Sequence, residues 1–160
     1  MTTATLLVRA VPPQAVRELL VRDDAGRPAV PFADHEGGAP LRCCLRRSRP
    51  GERIALVSYA PLRRWAAETG VDPGAYDEQG PVFLHAEECA GPEGEDLPFT
   101  SAHRVLRRYS ADGRILGGRP VQTPEDFAPA LREAFADPAV ALVHVRAVEY
   151  GCFLYEVRRG

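Results

Sequence analysis

The chain has 160 residues, 45% of them apolar and 26% charged, with a formal net charge of -2 at pH 7. That length suits one domain burying roughly two-thirds of its unfolded surface, and the charge balance argues against a dedicated nucleic-acid binder, which shows a strongly basic face. All 20 basic residues are arginine and lysine is absent, which excludes side-chain Schiff bases, covalent pyridoxal phosphate and a Walker lysine.

The start, Met1-Thr2-Thr3-Ala4-Thr5, lacks the basic opening of a secretory signal. No run reaches the roughly 20 apolar residues of a membrane span. A cytoplasmic location with no membrane partner is therefore expected, with the four cysteines as thiols or metal ligands. Residues 4–10 read as a strand. Pro12-Pro13 opens a helix that turns Ala15, Val16, Leu19 and Leu20 to one side. Gly, Pro and Asp between 23 and 40 predict a long loop. Strands are expected at 41–45 and 53–59, separated by the turn Ser48-Arg49-Pro50-Gly51. A short helix at 61–68 carries Leu62 and Trp65 inward, a strand follows at 81–85, and 87–98 is an acidic loop.

Residues 104–110 alternate as a strand, and Ala111-Asp112-Gly113 turns into a partner beginning at Arg114. Thr123 is the expected N-cap of a helix with Pro124 at its first position and Phe127, Ala130, Leu131, Ala134 and Phe135 on one face. Asp137-Pro138 ends it. Residues 139–148 and 152–158 form a predicted hairpin around Tyr150-Gly151. With a two-residue turn, His144 and Arg146 share a face with Tyr155 and Val157, whereas a longer loop or a bulge reverses that assignment. The pattern predicts an α+β fold: a single domain over 1–160, with a mainly antiparallel sheet packed by two principal helices.

Three runs place arginine, histidine and cysteine among apolar residues, where such groups need partners: Arg42-Cys43-Cys44-Leu45-Arg46, residues 80–85 with Cys89 beyond, and His144-Val145-Arg146 leading to Tyr150-Gly151-Cys152. Three chemistries compete. In the first, Cys44, His85 and Cys89 hold zinc; strand alternation would let only one of Cys43 and Cys44 reach a given site. In the second, Cys44 is a nucleophile with its thiol lowered by Arg42 and Arg46, which alternation puts on its own face, and His85 or His144 is the base. In the third, Arg42, Arg104 and Arg146 clamp an anionic group with Tyr150 supplying a hydroxyl.

The ordered set Arg42-Cys43-Cys44-Leu45-Arg46, Pro50-Gly51, Ser58-Tyr59, Gly80-Pro81-Val82-Phe83-Leu84-His85, Cys89, Arg107-Arg108-Tyr109, His144-Val145-Arg146 and Tyr150-Gly151-Cys152 resembles the bacterial family known as domain of unknown function 1203, from about residue 40 to the end. The resemblance implies histidine at position 43, where this chain has Cys43, and carries over no activity. The leading expectation is a binding or enzymatic site for a small anionic molecule, with Cys44 and His85 catalytic and Arg42, Arg104, Arg146 and Tyr150 binding the ligand. No cofactor is expected; zinc at Cys44, His85 and Cys89 is the alternative, as is a non-catalytic interaction domain. A homodimer is compatible with the sequence but not argued by it.

Overall fold

The computed structural model describes residues 5–94 and 96–160. Residues 1–4, including the expected strand start at Ala4, lie outside these, as does residue 95 of the acidic loop. The fold is α+β, with three helices and ten strands among the described residues. The strands are divided between two five-stranded sheets, each in its own compact unit, where one sheet was expected.

One unit comprises residues 5–9, 61–78 and 99–160. Its strands are β1 (Leu6–Arg9), β7 (Arg104–Ser110), β8 (Ile115–Val121), β9 (Val140–Ala147) and β10 (Phe153–Arg159), in the order β1-β10-β9-β7-β8 and antiparallel throughout. Leu142, Val143, His144 and Val145 are all fully buried, so β9 is covered on both faces and loses the alternation of a half-exposed strand. Helix α2 (Pro61–Thr69) brings Leu62, Trp65 and Ala66 onto Tyr109 and Leu142. Helix α3 (Phe127–Ala136) packs against β8 and β9 and buries the five apolar residues its spacing predicts. β8 runs through Gly117, Gly118 and Pro120, which is tolerable because it is an edge strand and Pro lacks a ladder donor.

Two local expectations change here. The Thr123 hydroxyl donates to Asp126 Oδ2 rather than capping backbone N–H groups, and Pro124–Asp126 forms a 3-10 turn before α3 begins. The β9–β10 connection is longer than two residues: Ala147 N–H donates to the Cys152 carbonyl, and a bulge between Phe153 and Tyr155 shifts the register. Glu156, not Val157, therefore lies opposite His144.

The other unit spans residues 10–60 and 79–98. Its sheet runs β2 (Phe32–Asp34), β5 (Glu52–Tyr59), β6 (Gly80–His85), β3 (Pro40–Leu41), β4 (Arg46–Arg47), with β3 and β6 the parallel pair. Helix α1 (Pro13–Val21) buries Ala15, Val16 and Leu19 and packs against β5, whose Ile54, Ala55, Val57 and Tyr59 are buried while Leu56 is exposed. β2 lies inside the stretch expected to be loop.

The predicted strand at 41–45 is instead a tight turn joining two-residue strands. Leu45 N–H donates to the Leu41 carbonyl at 2.9 Å, and Leu45 takes a left-handed φ of 58°. Leu41 to Leu45 are all buried, and five consecutive buried residues look the same in sequence whether strand or turn. Below this turn, Ser48 N–H donates to the Ala39 carbonyl and Gly38 N–H to the Ser48 carbonyl, and Gly37 (φ 76°) passes against Pro50. A Cβ at Gly37 would lie 2.9 Å from Pro50 Cδ and 3.0 Å from its nitrogen. Gly37→Ala is therefore expected to cost about 1–3 kcal/mol, read as a lower urea midpoint at unchanged slope. An unchanged midpoint would show that the stem yields freely.

Candidate functional site

The 42–45 turn sets both adjacent thiols on one centre. Cys43 Sγ lies 3.4 Å and Cys44 Sγ 3.8 Å from His85 Nδ1, so the expectation that only one could reach a given site is overturned. Its premise was strand alternation, and the residues are not in a strand. Cys89, from the loop after β6, completes the group: one donor atom from each of Cys43, Cys44, His85 and Cys89 lies within 4.8 Å of the others. Backbone N–H groups already point at two of the sulfurs, His85 N–H at Cys43 (3.3 Å) and Gly91 N–H at Cys89 (3.5 Å).

The imidazole is oriented from behind. His85 Nε2 is 2.8 Å from Glu52 Oε2, and Glu52 is gripped by both terminal nitrogens of Arg46 at 2.8 Å and by the Arg49 N–H at 2.6 Å. The Arg46 fork, aided by that N–H, holds the Glu52 carboxyl well below the usual carboxylate range. An ionised carboxylate only accepts, so the proton of this contact sits on His85 Nε2, and Nδ1 is the ring nitrogen that faces the two thiols. Between the adjacent thiols, the Cys43 S–H bond to Cys44 pulls the Cys44 thiol down, helped by the Arg46 N–H and the Arg46 charge. The same bond, with burial, pushes Cys43 up. Of this adjacent pair, Cys44 is thus the thiol that ionises first.

Cys44, His85 and Cys89 line an open cleft of about 600 Å³ whose rim carries Glu87, Glu88 and Glu93. Each of the remaining predicted site residues has its own surroundings. Arg42 is buried and donates to the Pro40 carbonyl; the 42–45 turn, not a shared strand face, sets its relation to Cys44. Arg104, Arg146 and Tyr150 belong to the other unit. Arg104 donates to the Phe99 and His103 carbonyls and to Glu149. Arg146 donates to Glu78. Tyr150 is 90% exposed at the tip of the β9–β10 connection. Sequence reasoning passed over Glu52, although the predicted 48–51 turn places residues 46 and 52 on its two flanks.

These features define an α+β protein that gathers three thiols and a carboxylate-oriented imidazole from three separate segments. Residues 38–159 match the family described as protein of unknown function (DUF1203), and the chain belongs to that family. No curated protein and no solved structure matches it. Among the described residues no helix is long and apolar enough to cross a membrane.

Proposed function

We propose that this is a zinc-binding domain in which Cys43, Cys44, Cys89 and His85, through Nδ1, hold one ion. The observation that carries the reading is the mutual approach of four soft donors within 4.8 Å. Tetrahedral zinc with Zn–S near 2.3 Å would ask sulfurs to stand roughly 3.5–3.8 Å apart, a contraction of about 1 Å. Thiolate and imidazole donors favour zinc over magnesium or calcium. Glu52 has the role of the carboxylate that fixes a ligating histidine's tautomer and raises its basicity. An all-protein shell of four ligands is that of a structural site, and the acidic rim would draw a cation toward it. The four thiols are free in the structure, which suits the reducing cytoplasm.

Elemental analysis of protein purified without chelator is expected to find about one zinc per chain; less than about a tenth would remove the reading. Glu52→Gln, which keeps the size but weakens the grip on His85, is expected to lower zinc affinity about 10- to 100-fold by chelator competition. Equal affinity would leave Glu52 as a surface ion pair with Arg46.

A second reading, favoured by the lowered Cys44 thiol at the cleft wall, makes Cys44 a nucleophile and His85 its base, oriented by Glu52. It gives Cys43 and Cys89 no task, which is why zinc is preferred. Alkylation separates the two: on the zinc reading iodoacetamide modifies Cys44 only after chelation, whereas a nucleophile reacts equally with and without chelator.

A further inference from the structure

The unit built on β1, β7, β8, β9 and β10 carries a second polar cluster. Arg107 on β7 lies opposite His144 on β9, and Arg146 is two residues farther along β9. Alternation therefore puts both guanidiniums and the imidazole on one face of the sheet. Both arginines converge on one atom: Arg107 Nη1 donates to Glu78 Oε1 at 2.7 Å and Arg146 Nη1 to the same oxygen at 2.6 Å. The Tyr109 hydroxyl stands 3.5 Å from Arg107 Nη1.

Two cations thus share one carboxylate. The next carboxylate on this face, Glu156, is engaged by His144 and by Arg158. Arg158 shows the reverse arrangement, one guanidinium bonded to both Glu68 and Glu156. Among the described residues, Glu78 Oε1 and the Tyr109 hydroxyl are the side-chain acceptors for Arg107 and Arg146, leaving most of their N–H donors open. His144 Nδ1, fully buried on the same face, also lacks a partner among those residues. Burial and the neighbouring Arg107 charge pull the Arg146 guanidinium below its ordinary value, as expected where positive charge is in excess.

Glu78 is the movable member. Its side chain is 43% exposed against 15% for Arg146, and it lies outside any strand or helix, just beyond the 3-10 turn Gly74–Tyr76. We infer that Arg107 and Arg146 form a binding site for a small carboxylate-bearing molecule, and that Glu78 is an internal occupant displaced by the ligand's own carboxylate. The class follows from the occupant, since the group already seated between the two guanidiniums is a carboxylate. This inference does not depend on zinc.

Calorimetric titration of the full chain with succinate, inorganic phosphate and, for ionic strength, chloride tests it. Glu78→Gln removes the internal competitor and is expected to raise succinate affinity at least tenfold. Adding Arg146→Met to that variant is expected to abolish binding. Chloride-like responses to succinate and phosphate, or binding that survives loss of Arg146, would overturn the site. Phosphate bound more tightly than succinate would overturn the carboxylate class. If Glu78→Gln folds only with succinate present, the site is supported; if it fails to fold with any anion, Glu78 is structural and the inference fails.

Discussion

His85→Ala is expected to weaken zinc binding about a hundred- to a thousandfold and to remove most of the effect of a chelator on thermal stability. One of four ligands carries about a quarter of the roughly 10–16 kcal/mol by which structural zinc sites bind, or about two to three powers of ten. Zinc at a thousandfold excess over its dissociation constant stabilises a fold by about 4 kcal/mol. In a chain of this size that corresponds to roughly 8–16 °C in melting temperature. The native protein should therefore melt about that much lower in excess chelator, and His85→Ala should keep no more than about a third of that difference. Because His85 also bonds Glu52, the same experiment on Cys89→Ser, whose sulfur takes the Gly91 N–H bond besides the cluster, separates metal loss from local repacking. A native protein indifferent to chelator would sink the zinc reading.

Glu156→Ala is expected to cost about 1–3 kcal/mol, because it leaves the buried His144 N–H without its acceptor and Arg158 one carboxylate short. His144 is fully buried, its Nε2 lies 3.0 Å from Glu156 Oε1, and its Nδ1 has no partner among the described residues. A proton on Nδ1 would be an unpaired buried donor, so burial holds the imidazole below its ordinary value of 6.5. Burial alone would raise the Glu156 carboxyl, but the bond to His144 and the Arg158 charge bring it below its ordinary value of 4.5. Both shifts have the same consequence. In each case the unfolded chain takes up its proton at a higher pH than the folded one, so stability is full above the unfolded value and falls as the pH drops. Loss is expected to begin below about pH 6.5 from His144 and to steepen below about 4.5 from Glu156. Urea midpoints across pH 4–8 check this, and a flat profile would mean that His144 takes up its proton as readily in the folded protein as in the unfolded chain.

Where hydrophobic periodicity is strong, the sequence is informative. The buried faces of α1 and α3 and the span of β7 follow from spacing alone, because one side of each element meets a core. The run from Leu41 to Leu45 defeats that logic. It is buried on every side, so period carries no signal, and the deciding event is a single backbone angle at Leu45. The turn it closes carries two neighbouring thiols to one imidazole. Cys44, His85 and Cys89 were readable as soft donors, whereas Glu52 required knowing that a turn closes Arg46 onto it. For Arg104 the sequence hides the partners for another reason. Arg104 is satisfied by carbonyls of irregular chain at Phe99 and His103, acceptors that no side-chain pattern reveals.

The bulge beside Phe153 has an evolutionary corollary. Trimming one residue from the 148–152 link, or restoring regular pairing there, would slide β10 by a single position and present an aliphatic or aromatic neighbour to His144 in place of its acid. Homologues that keep the histidine and the glutamate should therefore tolerate almost any composition in that link but hardly any change in its length.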